Sequence, residues 1–221
     1  MRSILVLNPK GGCGKTTIAT NLAGYYADRG KQVGLVDLDP QGSSADWVGM
    51  RPEHRPKIKA IPVFDGRRHR ISAGTDVLIM DAPAGTHEKS LSNVLRRAQT
   101  VVIPVLPSPI DIRAAERFLV ELGGIRRVLN TNVKIAAIAN RVRENTRSAN
   151  SLEDFLGSLR LPNGKKMPFL TMLRSSKNYV DAAMRGLSIF EFAPMATVQD
   201  REGWTPLLRW LGSKRSIPEE S

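Results

Sequence analysis

The amino-acid sequence predicts a single α/β domain, built on a mostly parallel, twisted sheet with helices on both of its faces. Short runs of almost continuously apolar residues recur along the chain, as strands buried on both faces of a sheet require. Amphipathic segments with helical spacing alternate with these runs, which is the order of a parallel sheet with crossover helices. No internal repeat or long linker divides the 221 residues, so we expect one domain over residues 1–221.

The elements follow in order along the chain. Six apolar runs are assigned to strands: residues 4–8, 32–37, 77–81, 100–105, 134–140 and, more weakly, 168–173. Four segments have helical spacing: residues 16–29, 111–129, 151–159 and 178–185. A last helix is expected to begin with Thr205 as its N-cap and Pro206 in its first turn. Open parallel sheets bind ligands at the carboxyl ends of their strands, so the residues after each strand are candidates for a site.

The net charge and the cysteine content narrow the class of protein. The chain has 33 Lys and Arg against 21 Asp and Glu residues, which favours an anionic partner such as nucleic acid or an acidic membrane. The excess is concentrated in residues 51–70 and 113–147, each with five more basic than acidic side chains. A single cysteine, Cys13, excludes a disulfide framework and a zinc site of several thiolates. Because no apolar run approaches the roughly 18–20 residues of a bilayer span, we expect a cytoplasmic protein.

A glycine-rich loop between the first strand and the first helix predicts a phosphate-binding site. Residues 10–17 read Lys-Gly-Gly-Cys-Gly-Lys-Thr-Thr, and Pro9 stands where the usual G-x-x-x-x-G-K-[ST] pattern has its first glycine. Glycines let backbone N–H groups point at a phosphate, and the following helix adds the positive end of its dipole. Lys15 is expected to neutralise the β- and γ-phosphates, and the Thr16 hydroxyl to bind Mg²⁺. The loop residues expected to hold the nucleotide are Gly11, Gly12, Cys13, Gly14, Lys15, Thr16 and Thr17.

This loop resembles that of the ParA/MinD family of deviant Walker A ATPases, which are P-loop NTPases. Residues 37–43 are similar to the family's switch I, residues 81–85 to its Walker B and switch II segment, and residues 102–111 to its run after the fourth strand. The Asn-Pro before the loop and Trp47 look closest to short ParF-like ATPases, which position plasmids or carboxysomes and have no N-terminal DNA-reading domain. Specific motifs cover residues 1–142.

The resemblance implies roles for the charged residues of these motifs. Asp39 would position or activate the attacking water. Lys10 would reach across an ATP-dependent sandwich dimer to the partner's phosphates, and together with Lys15 these residues form the implied catalytic set. The residues implied to hold Mg²⁺ are Thr16, Asp37, Asp39 and Asp81. Asn140 and Arg141 would contact the adenine, although an Asn at a strand end is also a common turn residue.

Two other motif residues have an ordinary structural interpretation beside the functional one. Cys13 occupies a variable position of the loop, where small residues of several kinds are tolerated, so its sulfur is expected to do no chemistry. Ser108 and Asp111 match a family loop near the dimer interface and the nucleotide. Asp111 could equally be the N-cap of a helix.

Three classes of function remain open for such an ATPase. The first is a positioning or partition switch, whose ATP-bound dimers bind nucleoid DNA without sequence preference. A small adaptor protein would link the dimer to a cargo (a plasmid, a chromosome or a protein organelle such as a carboxysome), stimulate hydrolysis and release the DNA. Lys and Arg contacts to phosphates supply such binding. The residues expected to make them are Arg141, Arg143, Arg147, Arg174 and Lys177.

The other two classes are less favoured. A MinD-like membrane-positioning ATPase needs a terminal amphipathic helix, and residues 204–211 place Trp204, Leu207, Leu208 and Leu211 on one face. A helix packed on the sheet has the same pattern, and an anionic membrane would repel the acidic residues at 219 and 220. An ATP-dependent metabolic ligase of the same fold would not need Lys10 and would show a further substrate site, which the sequence does not reveal.

Overall fold

A parallel sheet forms the centre of the molecule. The computed structural model describes residues 1–62, 71–85, 88–125, 133–161 and 164–218. The strands in these ranges are β1 (Arg2–Val6), β2 (Val33–Asp37), β3 (Ile58–Pro62), β4 (Val77–Asp81), β5 (Thr100–Val105), β6 (Lys134–Val142) and β7 (Phe169–Arg174). Their order in the sheet is β3-β2-β4-β1-β5-β6-β7, and each pairing between neighbours is parallel. The carboxyl ends of β2, β4, β1, β5 and β6 therefore meet along one edge.

Helices cover both faces of this sheet. Those in the described ranges are α1 (Lys15–Asp28), α2 (Ser43–Gly49), α3 (Glu88–Leu95), α4 (Pro109–Gly124), α5 (Arg147–Ser158), α6 (Asn178–Ala183), α7 (Val198–Glu202) and α8 (Thr205–Leu211). One core layer packs α3, α4 and α5 on the sheet through residues such as Leu91, Phe118 and Leu152. The other contains Ile18 of α1 and Trp47 of α2. Among the helices of these ranges, none has the length and apolar character of a bilayer span.

The six predicted strands are confirmed, and β3 is an additional strand that the sequence pattern missed. β3 lies at the edge of the sheet and pairs with β2 from Val33↔Ile58 to Asp37↔Pro62. Ile58 and Ile61 are buried, whereas Lys59 between them is exposed. An edge strand is less buried than a central one and can carry an exposed charge, so Lys59 interrupts the continuous apolar run by which the central strands are recognised.

The predicted helices need four corrections. The helix predicted over residues 151–159 is α5, which begins four residues earlier, at Arg147, because the Thr146 side chain caps it. The sequence prediction omits α2, α3 and α7, which have at most 8 residues and too few turns for a clear period. α4 begins earlier than predicted because Ser108 caps it and Pro109 takes its first position. The predicted end of that helix, residues 126–129, lies outside the described residues. Thr205 is not the N-cap of α8 but its first residue, since the buried Trp204 occupies the cap position.

The apolar face of α8 lies in the core. Trp204, Leu207 and Leu211 are at most 2% exposed and belong to the same layer as Ile18 of α1 and Leu173 of β7. The indole N–H of Trp204 donates to the Tyr179 hydroxyl at 2.9 Å. Three of the four residues of the face that the sequence left open as a membrane contact are therefore covered by the core, and the fourth, Leu208, is half-buried.

Candidate nucleotide-binding site

The glycine-rich loop lies at the carboxyl end of β1, between the tips of β4 and β5. Gly12 and Gly14 have φ values of 76° and 90°, in the left-handed region that residues with a side chain rarely adopt. A Cβ atom on Gly14 would also lie 2.3 Å from the Nδ2 atom of Asn140. The backbone conformation thus requires glycine at both positions. At Gly14, the packed side chain of Asn140 also leaves no room for a Cβ atom.

The loop closes around the ammonium group of Lys15, the first residue of α1. Lys15 is 7% exposed, and its Nζ donates to the Lys10 carbonyl at 3.1 Å. The Cys13 thiol donates to the same carbonyl at 3.2 Å. Burial raises the pKa of Cys13, and the nearby Lys15 charge opposes this effect only in part. A protonated, fully buried thiol is a packing group, in agreement with the interpretation of Cys13 as chemically inert.

Asn140 supports the loop from the tip of β6. Its Nδ2 donates to the Cys13 carbonyl at 2.8 Å, and the side chain is buried. Arg141, the next residue, is exposed and has a φ of 52°, within the register shift of β6 against β7 between Ala139 and Val142. The structure thus gives Asn140 a supporting contact to the phosphate loop, and its expected contact with adenine stays a prediction, as does that of Arg141.

Asp81 ends β4 directly beside the loop and is 1% exposed. Neither of its carboxylate oxygens has a hydrogen-bond partner of ordinary geometry within the described residues. Burial raises the pKa of Asp81 to about 7; the Thr16 hydroxyl and Lys15 ammonium lower it, while Asp37 raises it further. An orphaned buried carboxylate is costly unless a cation or donor completes it. The position therefore suits a hydrated divalent cation, whose usual ligands are oxygen atoms.

The other two implied metal ligands follow β2. Asp37 is fully buried next to Asp81 in the register of β2 and β4. Its oxygens accept from the backbone N–H groups of Asp39 at 3.0 Å, Ser44 at 2.9 Å and Ala45 at 2.9 Å. Asp37 thus holds the start of α2 and the loop that carries Asp39. The side chain of Asp39 is half-buried and accepts from the Gln41 N–H at 3.0 Å.

A cation at this site would take most of its oxygen ligands from groups other than these carboxylates. Within the described ranges, no three His, Cys, Asp or Glu side chains are grouped so that they could hold a metal ion. Thr16 and Asp81 fit a cation that takes its remaining ligands from phosphate oxygens and water, as Mg²⁺ does in nucleotide sites.

Lys10 lies exposed at the rim of the loop. Its backbone N–H donates to the Asn8 side chain at 2.9 Å, and the Asn8 amide in turn donates to the Pro104 carbonyl at 2.7 Å. Sequence reasoning noted Asn8 only as part of a family pattern, whereas the structure shows that this buried side chain anchors the loop to β5. The Lys10 side chain borders a hollow of about 280 Å³ together with Arg117 of α4.

The residues after β5 form a helix cap. Ser108 is the N-cap of α4, and its side chain accepts from the Asp111 N–H at 3.1 Å. The Ser108 hydroxyl donates to the Asp111 carboxylate, so this hydroxyl bonds both the backbone and the side chain of Asp111. Asp111 itself is not the N-cap, because Ser108 holds that position.

The five residues predicted to contact DNA lie at the same edge of the sheet, at or just after the carboxyl ends of β6 and β7, which pair at Val142↔Arg174. Arg141, Arg143, Arg147 and Lys177 are exposed. Arg174 is different: its Nε lies 3.3 Å from Asp200, and a further N–H donates to Gln199. The fold therefore brings the five cations together, with one of them already paired to a carboxylate.

Two comparisons of sequence agree with this geometry. Residues 4–189 match the family model of the CobQ/CobB/MinD/ParA nucleotide binding domain. The chain is 30% identical over 227 residues to the chromosome-partitioning ATPase Soj of Thermus thermophilus, covering 88% of this chain and 89% of Soj. It is 26% identical over 201 residues to the maintenance of carboxysome distribution protein A of Halothiobacillus neapolitanus, covering 86% and 87% of the two chains.

Solved structures share the fold. A chain of the MinC:MinD cell division complex of Aquifex aeolicus has a TM-score of 0.72 at 18% identity and covers 100% of this chain and 99% of its own. A variant of McdA from Cyanothece, in complex with ATP, has a TM-score of 0.74 at 15% identity and covers 100% and 98%. The chain therefore belongs to the CobQ/CobB/MinD/ParA family of nucleotide-binding domains, the family of the ParA- and MinD-type ATPases.

Proposed function

We propose that this chain, as one domain over residues 1–221, binds ATP with Mg²⁺ at the glycine-rich loop and hydrolyses it to ADP and phosphate. The observation that carries the proposal is the buried Asp81 carboxylate, whose two oxygens lack hydrogen-bond partners of ordinary geometry in the described residues and lie beside Lys15 and Thr16. Ordinary folding gives no reason to bury such a group, whereas a hydrated cation on nucleotide phosphates would satisfy it.

Each residue at this edge has a task in the proposed reaction. The Lys15 ammonium, already turned into the loop, neutralises phosphate charge, and Thr16 completes the cation site with Asp81. When bound, Mg²⁺ would withdraw charge from the phosphate oxygens and so favour transfer of the γ-phosphoryl group from ATP to water. Asp39 orients that water, and Asp37 positions Asp39 through the 3.0 Å bond to its backbone N–H. Thr17 of the loop and Asn140 beside it make further contacts to the nucleotide.

Lys10 acts in a dimer. Its backbone is fixed by Asn8 while its side chain is exposed, so the ammonium can reach phosphates held by a second copy of the chain. A cation delivered in this way stabilises the charge that develops during phosphoryl transfer. ATP binding would therefore favour the dimer, and hydrolysis would release it.

The dimer's purpose is to position a cargo. Soj is named as a chromosome-partitioning ATPase and the Halothiobacillus relative as a carboxysome-distribution protein, which supports a partition or positioning role. The cluster of exposed cations beyond β6 and β7 would bind nucleoid DNA through its phosphates, without reading sequence. A small adaptor protein would connect the dimer to the cargo and stimulate hydrolysis.

Nucleotide binding and phosphate release test the proposal. The Lys15→Ala variant should lose binding of a fluorescent ATP analogue and all hydrolysis, whereas Lys31→Ala, at the opposite end of the sheet, should resemble the wild type. Asp81→Asn should keep nucleotide affinity in EDTA but lose its increase on addition of Mg²⁺. Lys10→Ala should bind ATP yet lose hydrolysis and the ATP-dependent dimer in analytical ultracentrifugation.

Other results would contradict the proposed nucleotide site or the proposed role of Lys10. If Lys15→Ala binds Mg·ATP as tightly as the wild type, the loop is not the nucleotide site. If the wild type stays a monomer with ATP while hydrolysing it, or if Lys10→Ala hydrolyses ATP normally, the trans role of Lys10 is wrong.

A further inference from the structure

A second hollow lies on the helical face of the molecule, between the end of α1 and α8. It has a volume of about 340 Å³, within the range of ligand pockets. Its floor is apolar and consists of Tyr25, Phe190 and Leu208, all half-buried. Its rim carries three guanidinium groups, those of Arg29, Arg201 and Arg209. We call these six residues the arginine groove.

Contacts between aromatic rings hold the floor of the arginine groove in place. The rings of Tyr25 and Phe190 are 5.0 Å apart in an edge-to-face arrangement, and Phe190 meets the fully buried Trp204 in the same way at 5.6 Å. Edge-to-face pairs are a favourable geometry for aromatic rings. A partner that docks on this floor would therefore meet a surface that is already ordered and would lose little conformational entropy.

The three arginines lack acidic partners. The Arg29 guanidinium lies 3.6 Å from the centre of the Tyr25 ring. Arg201 donates to the Pro194 carbonyl at 2.6 Å, but its buried Nε has no partner in the described part of the chain. Arg209 is exposed. Across the described residues, none of the three forms an ion pair, and no carboxylate lines the groove. By contrast, Arg51 and Arg174 are paired with Glu191 and Asp200.

The arginine groove is separate from the nucleotide site. Tyr25 lies ten residues beyond Lys15 along α1, a distance of about 15 Å. Arg29 caps the carboxyl end of α1, which lies toward the amino-terminal edge of the sheet. The predicted DNA contacts lie at the carboxyl edge, beyond β6 and β7. A ligand in the groove would therefore leave the nucleotide site free, and it would meet the predicted DNA contacts only near Arg201, which follows Asp200, the partner of Arg174.

We propose that the arginine groove binds an acidic segment of a partner protein, whose aromatic or bulky aliphatic side chain rests on the floor while its carboxylates meet the guanidinium groups. Arginine and carboxylate pair through two parallel hydrogen bonds, the strongest such contact between side chains. Duplex DNA offers phosphates but no side chain for the apolar floor, so it would leave Tyr25, Phe190 and Leu208 unused. This binding needs no nucleotide and does not rest on the proposed ATPase cycle.

Fluorescence anisotropy of nucleotide-free protein tests the proposal with a labelled peptide, Gly-Asp-Glu-Phe-Glu-Asp-Gly. Two matched peptides carry amides in place of the four carboxylates, or Ala in place of Phe. The groove variant Arg29→Glu/Arg209→Glu changes two exposed residues, and Lys214→Glu/Arg215→Glu makes the same charge change at two exposed residues of a neighbouring turn. Thermal unfolding shows whether each variant is folded.

We expect the groove variant to bind the acidic peptide about tenfold or more weakly than the wild type, and the control variant to change affinity less than about threefold. Each altered peptide should also bind wild-type protein about tenfold more weakly. Backbone amide NMR shifts should concentrate in residues 25–29 and 201–209, a result that needs no variant.

Three outcomes would overturn the proposal. In the first, both double variants weaken peptide binding equally, which indicates a diffuse charge effect. In the second, the amide peptide binds as tightly as the acidic one. In the third, the groove variant weakens binding of a 20-base-pair DNA duplex, or of phosphatidylglycerol vesicles, more than that of the peptide, which assigns the groove to nucleic acid or to a lipid surface.

Discussion

The two basic segments of the chain, residues 51–70 and 113–147, have the same excess of positive charge, yet their arginines have opposite surroundings. Arg51 is folded inward: its guanidinium lies 2.7 Å from Glu191, and these side chains are 5% and 0% exposed. Arg55 donates to the Glu191 carbonyl at 3.2 Å. In the second segment, Arg143 and Arg147 are exposed and form no ion pair within the described residues.

This difference shows that net charge by segment does not identify a binding surface. Arg51 and Arg55 join the chain after α2 to the segment before α7, so part of the first segment's charge is structural. Arg67, Arg68 and Arg70 lie outside the described residues. Arg143 and Arg147 of the second segment follow β6, at the edge of the sheet that also carries the nucleotide site. Four predictions separate the two kinds of arginine.

The largest effect is expected from Arg51→Ala. Removing this guanidinium leaves the Glu191 carboxylate buried with only Ser188 as partner, through bonds of 2.7 and 2.9 Å. Breaking one side of a buried ion pair costs about 3–5 kcal/mol of unfolding free energy. Urea denaturation measures this loss of unfolding free energy. Arg143→Ala is the matched control and should change the stability by less than about 0.5 kcal/mol. Equal losses in the two variants would refute the distinction.

The second prediction concerns DNA. The double variant Arg143→Glu/Arg147→Glu should bind duplex DNA more than about tenfold more weakly in the presence of ATP, and its salt dependence should flatten by about 0.9 for each phosphate that is no longer neutralised. Basal hydrolysis should not change. Lys57→Glu/Lys59→Glu makes the same charge change at exposed positions of the first segment and should retain DNA binding. A larger loss in the lysine variant would place the DNA surface on the first segment.

Arg174 is intermediate between the buried and the exposed arginines, and its removal should cost less stability than removal of Arg51. Its side chain is 35% exposed, and its partner Asp200 keeps a hydrogen bond of 2.6 Å from Asn178. Because solvent screens the pair and Asp200 retains a donor, Arg174→Ala should cost about 1 kcal/mol in urea denaturation. A loss as large as that of Arg51→Ala would mean that Arg174 is structural rather than a DNA contact.

The smallest effect is a pH dependence. Burial alone would raise the pKa of Glu191, but the hydrogen bonds and charge of Arg51 together with the Ser188 donors hold it below the ordinary value of 4.5. A carboxylate with a lowered pKa contributes stability above its unfolded pKa and loses it as the pH falls through the folded pKa. Without Arg51, burial would instead favour the protonated acid. The stability difference between wild type and Arg51→Ala should therefore shrink as the pH falls from above 4.5, where the variant's Glu191 takes up its proton, to below 4.5, where that of the wild type does; a constant difference would contradict the pairing.

Much of the nucleotide site follows from local sequence. The loop of residues 10–17 is recognisable because glycines at two left-handed positions and a following helix are features of eight consecutive residues. The central strands are equally clear, since burial on both faces demands unbroken apolar runs. The sequence does not predict β3, because this edge strand has no such run.

Other parts of the site depend on distant contacts. Asn140 supports the loop across 127 residues of chain, and Asp81 is unpartnered only because β4 lies beside β1 and β2. Asp37 looked like a metal ligand, yet its oxygens accept three backbone N–H groups from the start of α2. These contacts fit a structural role for Asp37 beside the cation site, and its implied direct binding of Mg²⁺ stays a prediction.

By itself the sequence determined the alternation of strands and helices, the phosphate loop and the family, because these depend on periodicity and on conformations of a few adjacent residues. Only the tertiary structure decided which charges are used inside the fold. Arg51 meets Glu191 across 140 residues, and the apolar face of α8 meets the sheet rather than a membrane. An arginine has the same side chain at either kind of site, and its role is set by whether the fold brings a carboxylate to it.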